Sequence, residues 1–311
     1  EVDLQYASND VQTQVSQVEN MISNGCEMLV IASIDGSSLG EPLGQAKEAG
    51  IPVISYDRLL MNSDAVTYYA TFDNYMVGQK QGEYLVKALG LEGNDGPFNI
   101  EMFTGDPADN NCNFFFGGAM DVLQPYIDSG KLVVKSGQTT FEQVATANWD
   151  SEKAQNRMDT IIAGNYSDGT VLNAVLCSND STALGVAQAV TSDYAGSNSV
   201  LITGQDGDEA NLKNIVDGVQ TMTVYKNVSN ESIVTLALAK AMLAGDTIDE
   251  SLVPSFGIEC AFDTESYETS EGNKCPSFLL VPNVITKDNL QDLVDTGLYT
   301  MGDDGYLSAA N

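Results

Sequence analysis

Carboxylate, amide and cationic side chains stand together directly after several short apolar runs of this sequence. The residues concerned are Tyr56, Asp57, Arg58, Asp109, Asn110, Asn111, Ser178, Asn179, Asp180, Gln205, Asp206 and Lys226. A hydroxyl group can donate a hydrogen bond to a carboxylate while it accepts one from an amide or a cation. Such a mixture is therefore typical of a site for a ligand with many hydroxyl groups, such as a sugar.

The residue types needed for most catalytic and metal sites are scarce. The sequence has no histidine, which removes the usual general base of a catalytic triad. Its five cysteines show no CxxC spacing, so a zinc site would depend on carboxylates or single thiols. We therefore expect no catalytic residue, no metal site and no cofactor. Glycoside hydrolysis by Asp57, Asp109 or Asp206 stays as an enzymatic alternative, which needs an acid and a base at suitable spacing.

Cys260 and Cys275 bracket the polar stretch AFDTESYETSEGNK, which has no periodicity and is typical of an inserted surface loop. A disulfide between these two cysteines would restrict the unfolded loop. The alternative is two free thiols. Because the number of cysteines is odd, at least one is unpaired within a single chain.

Composition and charge exclude some classes of partner. The chain has 311 residues, 43% of them hydrophobic, which is enough for two cores of ordinary domain size. Its 13 basic and 44 acidic residues give a formal charge of -31, which repels nucleic acid and anionic lipid. The longest apolar stretch, 232–243, contains Thr235 and Lys240 and is too short to span a bilayer.

Short β-branched runs alternate with amphipathic stretches along the chain. In the first half, EMLVIAS, IPVISY, TYYATF and FNIEMF predict strands, and the segments 11–22, 39–49 and 74–89 predict helices. The pattern repeats after about Asp106, with the strands KLVVKSG, NAVLCSND, VLITGQD and QTMTVYK. This alternation indicates an α/β fold with parallel sheets, in two similar halves joined by ordered hinge segments.

The polar groups fall at the carboxyl ends of these predicted strands. Ligands of open α/β sheets bind beyond that end, so we interpret the groups as the lining of a cleft. Each position also has a structural alternative. Asp or Asn after a strand is commonly a helix N-cap, Arg58 could pair with Asp57, and Lys226 could be a solvated surface cation.

Aromatic residues are the second kind of candidate. Trp149 is the single tryptophan and lies in the polar segment ANWDSEKAQ, just before a predicted helix, where burial against a sheet is less natural. Phe114, Phe115 and Phe116 cannot all face one way. We expect at least one of them in the core, with Phe114 and Phe115 as candidates to line the cleft.

Long blocks of the chain resemble one family. They are QVSQVENMISNGCEMLVIAS, IPVISYDRLL, YATFDNYMVG, DPADNNCNFFFGGAMDVLQPYIDSGKLVVKSGQ and ITGQDGDEANLKNIVDGVQTMTVYK. They are similar, in the right order, to the D-xylose-binding and multiple-sugar-binding receptors of bacterial ABC importers, from Glu1 to about Leu298. The resemblance implies the type I periplasmic binding protein fold, with two Rossmann-like domains joined by three hinge crossings.

The resemblance also implies which residues bind the ligand. It assigns hydrogen bonds to the sugar to Asp57, Arg58, Asp109, Asn111, Asn179, Asp206 and Lys226, and a stacking contact to Trp149. The expected lobes are residues 1–104 with 227–281, and 105–226 with 282–311. Relatives begin with a further strand and helix, whereas DLQYAS matches the second strand of the family, so we expect the first β-α unit to be missing. Another chain that supplies this strand is one expected partner.

The function implied by the resemblance is the binding of a monosaccharide such as xylose, glucose, galactose or arabinose. The expected location is extracytoplasmic, in the periplasm or at the cell surface as a lipoprotein. The two lobes are expected to close on the sugar, and the closed form to be recognised by the membrane permease subunits of an ABC importer. A sugar-sensing subunit that signals occupancy to a membrane chemoreceptor or kinase is the alternative. A transcription regulator would need a basic helix-turn-helix segment, which the sequence lacks.

Overall fold

The computed structural model of the chain describes residues 2–94 and 96–310. Contacts within the chain divide it into two compact units. Unit 1 contains Glu1–Asp73, Ala108–Asn111 and Asn227–Val281, and unit 2 contains Asn74–Pro107, Cys112–Lys226 and Pro282–Asn311. Each unit has its own sheet and its own hydrophobic core.

The helices and strands follow the predicted alternation. The helices are α1 (Val11–Ser23), α2 (Gly40–Glu48), α3 (Asn74–Leu89), α4 (Asn111–Asp128), α5 (Phe141–Val144), α6 (Ser151–Asn165), α7 (Asp180–Asp193), α8 (Glu209–Asp217), α9 (Val228–Ala244) and α10 (Gln291–Asp295). The strands are β1 (Leu29–Ile31), β2 (Val53–Tyr56), β3 (Val66–Phe72), β4 (Phe98–Phe103), β5 (Leu132–Val133), β6 (Ala174–Cys177), β7 (Leu201–Ile202), β8 (Met222–Tyr225), β9 (Cys260–Asp263), β10 (Glu268–Ser270), β11 (Asn273–Lys274), β12 (Ser277–Leu280), β13 (Asn283–Thr286), β14 (Tyr299–Met301) and β15 (Leu307–Ala309). Short 3-10 helices cover Ala147–Trp149, Glu250–Phe256 and Lys287–Asn289.

The sheet of unit 1 has the strand order β1-β2-β3-β12-β9. Its strands are parallel except β9, which runs antiparallel to β12. The apolar faces of these strands pack against α9, where Ile54, Phe72, Leu238 and Phe278 are buried together. The burial of such side chains, worth about 1.5–3 kcal/mol each, holds the strand ends of this unit in fixed positions.

The central sheet of unit 2 has the order β5-β4-β6-β7 and is parallel throughout. Strand β8 pairs with β13, and a bridge between Gln205 and Val224 places β8 alongside the segment that follows β7. Helices α6 and α7 cover one buried cluster that includes Met158, Val175 and Val186. The α/β architecture with parallel sheets that the sequence predicts is confirmed.

Local signals explain where several helices begin and end. The Asp150 side chain accepts hydrogen bonds from two backbone amides and begins α6, and the Asn179 side chain does the same at α7 with one amide. Helices α8 and α9 end at Gly218 and Gly245, whose φ angles of 79° and 76° lie in the left-handed region that favours glycine.

The structural units differ from the predicted lobes in two segments. Residues 74–104 belong to unit 2, because β4 pairs with β5 and β6 in its sheet. Residues 108–111 belong to unit 1, where Asp109 and Asn111 make their contacts. The predicted boundaries at 226/227 and 281/282 coincide with those of the units. Periodicity predicts that a strand exists, but not which sheet it joins.

The segment DLQYAS is not a strand, although its match to the second strand of the family predicts one. It pairs with no strand among the described residues, and Leu4 and Tyr6 are exposed. Strand β1 forms the edge of the sheet on that side. Backbone groups form a strand only where a neighbouring strand takes up their hydrogen bonds, so a match to a strand of the family alone is not sufficient.

The polar stretch between Cys260 and Cys275 is ordered, and the two cysteines are free. The stretch contains β10 and β11, which form an antiparallel pair. In the β9–β12 pair Cys260 lies opposite Leu280, whereas Cys275 lies beyond the other end, past Ser277. The strand rise separates the two residues by more than about 10 Å, and a disulfide requires Cα atoms within about 7 Å. The candidate disulfide is therefore wrong.

Candidate functional site

Five side chains of unit 1 gather where β2 and β3 end. We call this cluster, consisting of Asp57, Arg58, Tyr69, Asp109 and Asn111, the Arg58 site. Asp57 and Arg58 directly follow β2, and Asp109 and Asn111 come from the short segment that unit 1 takes from the middle of the chain. The sequence predicts four of these residues as ligand contacts, and the structure brings the four together.

Asp57 has a backbone conformation that is uncommon for a residue with a side chain. Its φ is 58°, in the left-handed region. Its amide donates to the Ala70 carbonyl, and its carbonyl oxygen accepts from Tyr69 Oη at 2.6 Å, Thr71 Oγ1 at 3.0 Å and Asn111 Nδ2 at 2.8 Å. These bonds fix the peptide units before and after the Asp57 Cα atom, so they hold the conformation of Asp57.

Arg58 pairs with Asp109 and not through the alternative pairing with Asp57 that the sequence leaves open. Its Nε lies 3.1 Å from Asp109 Oδ2, and its Nη1 donates to the Ile34 carbonyl at 3.3 Å. The Asp109 side chain is 5% exposed and that of Arg58 is 32% exposed. An ion pair with one buried and one accessible partner keeps its geometry and still offers donors to a ligand.

Asn111 braces the site from inside. It is 2% exposed, its Nδ2 donates to the Asp57 carbonyl, and its Oδ1 lies 2.9 Å from Tyr69 Oη. Burial raises the pKa of the Tyr69 hydroxyl well above its usual range, with the neighbouring Tyr267 as the next cause, so Tyr69 stays protonated as a donor. Tyr69 was not predicted from the sequence, because it lies inside the run TYYATF and has no distinguishing signal there.

A second cluster lies in unit 2. We call Phe115, Trp149, Asp206 and Lys226 the Lys226 site. Lys226 Nζ is 3.6 Å from Asp206 Oδ1 and 5.8 Å from the centre of the Phe115 ring. Phe115 in turn meets Trp149 edge to face, with ring centres 6.3 Å apart. The Lys226 side chain is 12% exposed, so it is not the solvated surface cation of the alternative interpretation.

Trp149 occupies a strained turn at the end of the Ala147–Trp149 segment. Asn148 and Trp149 have φ angles of 62° and 55°, and the Asn148 amide is fixed by Asp106 Oδ2 at 2.9 Å. The indole lies against Gly105 so closely that a Cβ there would overlap the ring. The ring is half-buried and its Nε1 is buried without a hydrogen-bond partner. The close contact at Gly105 has no signal in the sequence.

The end of β6 carries Asn179 and Asp180. Asn179 is a helix N-cap, as the structural alternative predicts: its Oδ1 accepts from the Thr182 amide at 3.0 Å. Asp180 is fully buried, and its carboxylate accepts hydrogen bonds from unit 2 alone. Burial and the charge of Asp206 raise the pKa of the Asp180 carboxyl, while the donors of Gln220 and Asp208 favour its charged form.

One of the three phenylalanines lies in the core, as the sequence predicts. Phe115 is 2% exposed and lies in a core cluster with Val77, Met222 and Val224 while it also touches Trp149. Phe116 packs edge to face on Phe141, with ring centres 6.1 Å apart. Phe114 is half-buried and lies in neither of these clusters.

Metal-ligating clusters and membrane-spanning helices are both absent from the described residues. No group of three or more Cys, Asp or Glu side chains in this part of the chain is arranged to hold a metal ion. None of the helices within residues 2–94 and 96–310 is long and apolar enough to cross a membrane. Both sites are built from donors, acceptors and aromatic faces, which can bind a neutral polar ligand.

The chain forms two α/β units with mainly parallel sheets, and it passes between them more than once. This architecture is typical of a class of ligand-binding proteins. The family described as "periplasmic binding protein domain" matches residues 1–247. The chain belongs to this family, and the resemblance predicted from the sequence is confirmed.

Relatives of known type match almost the whole chain. A multiple sugar-binding periplasmic protein of Azospirillum brasilense is 43% identical over 302 residues, which cover 96% of this chain and 81% of that protein. The D-xylose-binding periplasmic protein of Escherichia coli is 36% identical and covers 94% of this chain and 79% of its own length. The crystal structure of an ABC transporter solute-binding protein from Clostridium phytofermentans, with bound β-D-glucose, is 57% identical with a TM-score of 0.89 over 98% of this chain and 90% of that one.

The contact between Gly105 and Trp149 leads to a spectroscopic prediction. In a Gly105→Ala variant the added methyl group must displace the indole into a more polar environment, because the space is filled. We expect a red-shifted emission of this single tryptophan, recorded with selective excitation of indole. Gly164→Ala is the control: Gly164 lies on an exposed part of α6, where a Cβ meets nothing within 4 Å. Unchanged emission from Gly105→Ala would contradict the described position of Trp149.

Proposed function

We propose that this chain is the extracytoplasmic monosaccharide-binding component of an ABC sugar importer. The Arg58 site and the Lys226 site are proposed to contact the same pyranose. One observation carries the proposal: each site holds a cation beside a carboxylate, and the Lys226 site adds an aromatic ring. No chemical conversion of the sugar is part of this function.

The chemistry of the two ion pairs suits vicinal hydroxyl groups. A carboxylate accepts from one hydroxyl while the neighbouring cation donates to the next, so each pair can bind two adjacent hydroxyls in a defined order. An analogue with an inverted hydroxyl leaves one donor or acceptor of a charged group without its hydrogen bond to the ligand, which costs more than the lost bond itself. The two pairs therefore support selection among sugars that differ at a single carbon.

Trp149 supports the same conclusion through its shape. A pyranose has a face of C–H groups, which packs on an aromatic ring and loses contact with water there. The strained backbone at Asn148 and Trp149 is a conformation that persists only where surrounding contacts fix it, as at many binding sites. We propose that Trp149 stacks on the sugar and that Phe115 supports the ring from the side.

The ligand that we propose is glucose or a closely related aldopyranose such as xylose, galactose or arabinose. The support comes from relatives: their names specify multiple sugars and D-xylose, and the structure that is 57% identical contains β-D-glucose. Asp57, Arg58 and Asp109 of unit 1, with Asn179, Asp206 and Lys226 of unit 2, are the proposed hydrogen-bonding residues. Asn111 is also a proposed hydrogen-bonding residue, and its bond to the Asp57 carbonyl is proposed to position Asp57.

Binding is proposed to act through domain closure. A sugar that contacts residues of both units binds the closed form better, so it shifts the population toward that form. The membrane permease subunits of the importer would then recognise the closed form.

Small-angle scattering is expected to show a smaller radius of gyration in saturating glucose than in buffer. An unchanged radius at full occupancy would contradict closure.

The two cations provide the sharpest test of the site. We expect Arg58→Met and Lys226→Met to weaken glucose binding by about 10- to 150-fold each, the loss of roughly 1.5–3 kcal/mol from a charged hydrogen-bonding group. The measurement is isothermal titration calorimetry with glucose, xylose, galactose and arabinose.

Each of these variants has a matched control in its own unit. Lys47→Met in unit 1 and Lys213→Met in unit 2 also remove one cation from an ion pair, but those pairs are about half exposed. Exposed pairs contribute little, and we expect both control variants to bind glucose like the unaltered protein. Equal losses in the controls and the site variants would show that the effect is one of net charge and would contradict the proposed site.

A further inference from the structure

Asp180 is a buried carboxylate of unit 2 that is not one of the four residues of the Lys226 site. It is the first residue of α7 and is 0% exposed. Its Oδ2 accepts from the amides of Gly207 and Asp208, both at 2.9 Å, and from Thr223 Oγ1 at 3.1 Å. Its Oδ1 accepts from Gln220 Nε2 at 2.9 Å. A carboxylate with four donors inside a protein is a strong and direction-specific anchor.

The bonds of Asp180 enclose Asp206 on both sides along the chain. The Asp180 amide donates to the Gln205 carbonyl at 2.8 Å, and its carboxylate binds the amide of Gly207. The residue between them, Asp206, has a φ of 110°, which side-chain-bearing residues rarely adopt. Because both flanking peptide units are tied to one residue, Asp206 cannot relax to an ordinary conformation without breaking a bond to Asp180.

Asp180 also ties this turn to the strand that leads to Lys226. Thr223 and Gln220 lie in or beside β8, and Lys226 directly follows that strand. The Asp206 amide donates to the Val224 carbonyl at 2.9 Å in the same strand. The position of Asp206 relative to Lys226 therefore depends on a network whose centre is Asp180.

We propose that Asp180 is a positioning residue of the sugar site, which holds Asp206 in its strained conformation beside Lys226 without contacting the sugar. This inference rests on the proposed function, because it assigns Asp180 a role in binding through Asp206. It differs from a purely structural role. A structural anchor would lower stability alone, whereas a positioning residue changes affinity only as long as Asp206 is present.

The test is a double-mutant cycle. Asp180→Asn keeps the size of the side chain but replaces one carboxylate oxygen by an NH2 group. That group cannot accept the hydrogen bond that a neighbouring donor directs at this position. We expect it to weaken glucose binding by about 10-fold in the unaltered protein and by less than about twofold in an Asp206→Ala background. Asp217→Asn, at the exposed end of α8, is the control for the loss of one carboxylate from unit 2. Equal losses in both backgrounds would overturn the proposal.

A second measurement does not need a ligand. Hydrogen exchange of the sugar-free protein is expected to be faster over residues 205–208 in Asp180→Asn and unchanged over α6. Exchange as slow as in the unaltered protein would overturn the proposal. If the unaltered protein bound no sugar, the proposed function would fail, while the exchange result would still decide whether Asp180 positions Asp206.

Thr223→Val covers the case in which Asp180→Asn does not fold. It removes one of the four donors and keeps the shape of the side chain, so folding is expected to persist. Faster exchange over residues 205–208 in this variant would support the proposal, and unchanged exchange would contradict it.

Discussion

The backbone at several proposed binding residues, and at Asn148 beside Trp149, is held in conformations that residues with side chains rarely adopt. Asp57, Asn148, Trp149 and Asp206 have φ angles of 58°, 62°, 55° and 110°. Each such residue costs of order 1–3 kcal/mol and persists only where neighbouring bonds fix it. Buried hydrogen-bonding groups around both sites form those bonds. The geometry of both sites therefore depends on keeping these unfavourable backbone conformations.

In both units, hydrogen bonds from buried groups hold the unfavourable backbone conformation. In unit 1 the Asp57 carbonyl accepts three hydrogen bonds, and in unit 2 Asp180 binds the residues on either side of Asp206. In both cases the stabilising groups are buried and belong to the same unit as the residue that they hold. Side chains fixed in this way before the ligand arrives lose less conformational entropy on binding, which raises affinity and sharpens selectivity.

Much of this arrangement can be predicted from the sequence. Ligands bind beyond the carboxyl ends of parallel strands. This rule predicts Arg58, Asp109, Asp206 and Lys226 as candidate ligand contacts, because each follows an apolar run. The α/β class follows from the alternation of strands and helices. Asn179 shows the ambiguity of this reasoning, because this candidate ligand contact after a strand is a helix N-cap in the structure.

Other features depend on tertiary geometry, for which the sequence has no local signal. Periodicity does not specify the sheet that β4 joins or the unit to which Asp109 belongs. The Cys260–Cys275 pairing is excluded only by the antiparallel register of β9 and β12. The roles of Tyr69 and Gly105 arise from atoms distant in sequence, so neither residue type nor spacing could have identified them.

The most direct measurement for the central claim is a crystal structure of this chain grown with glucose. We expect one pyranose that forms hydrogen bonds with Arg58 and Asp206 and has its apolar face on Trp149, with the φ angles of Asp57 and Asp206 still in the left-handed region. A sugar bound away from these side chains, or bound only after Asp57 and Asp206 had relaxed to ordinary conformations, would contradict the proposed binding site.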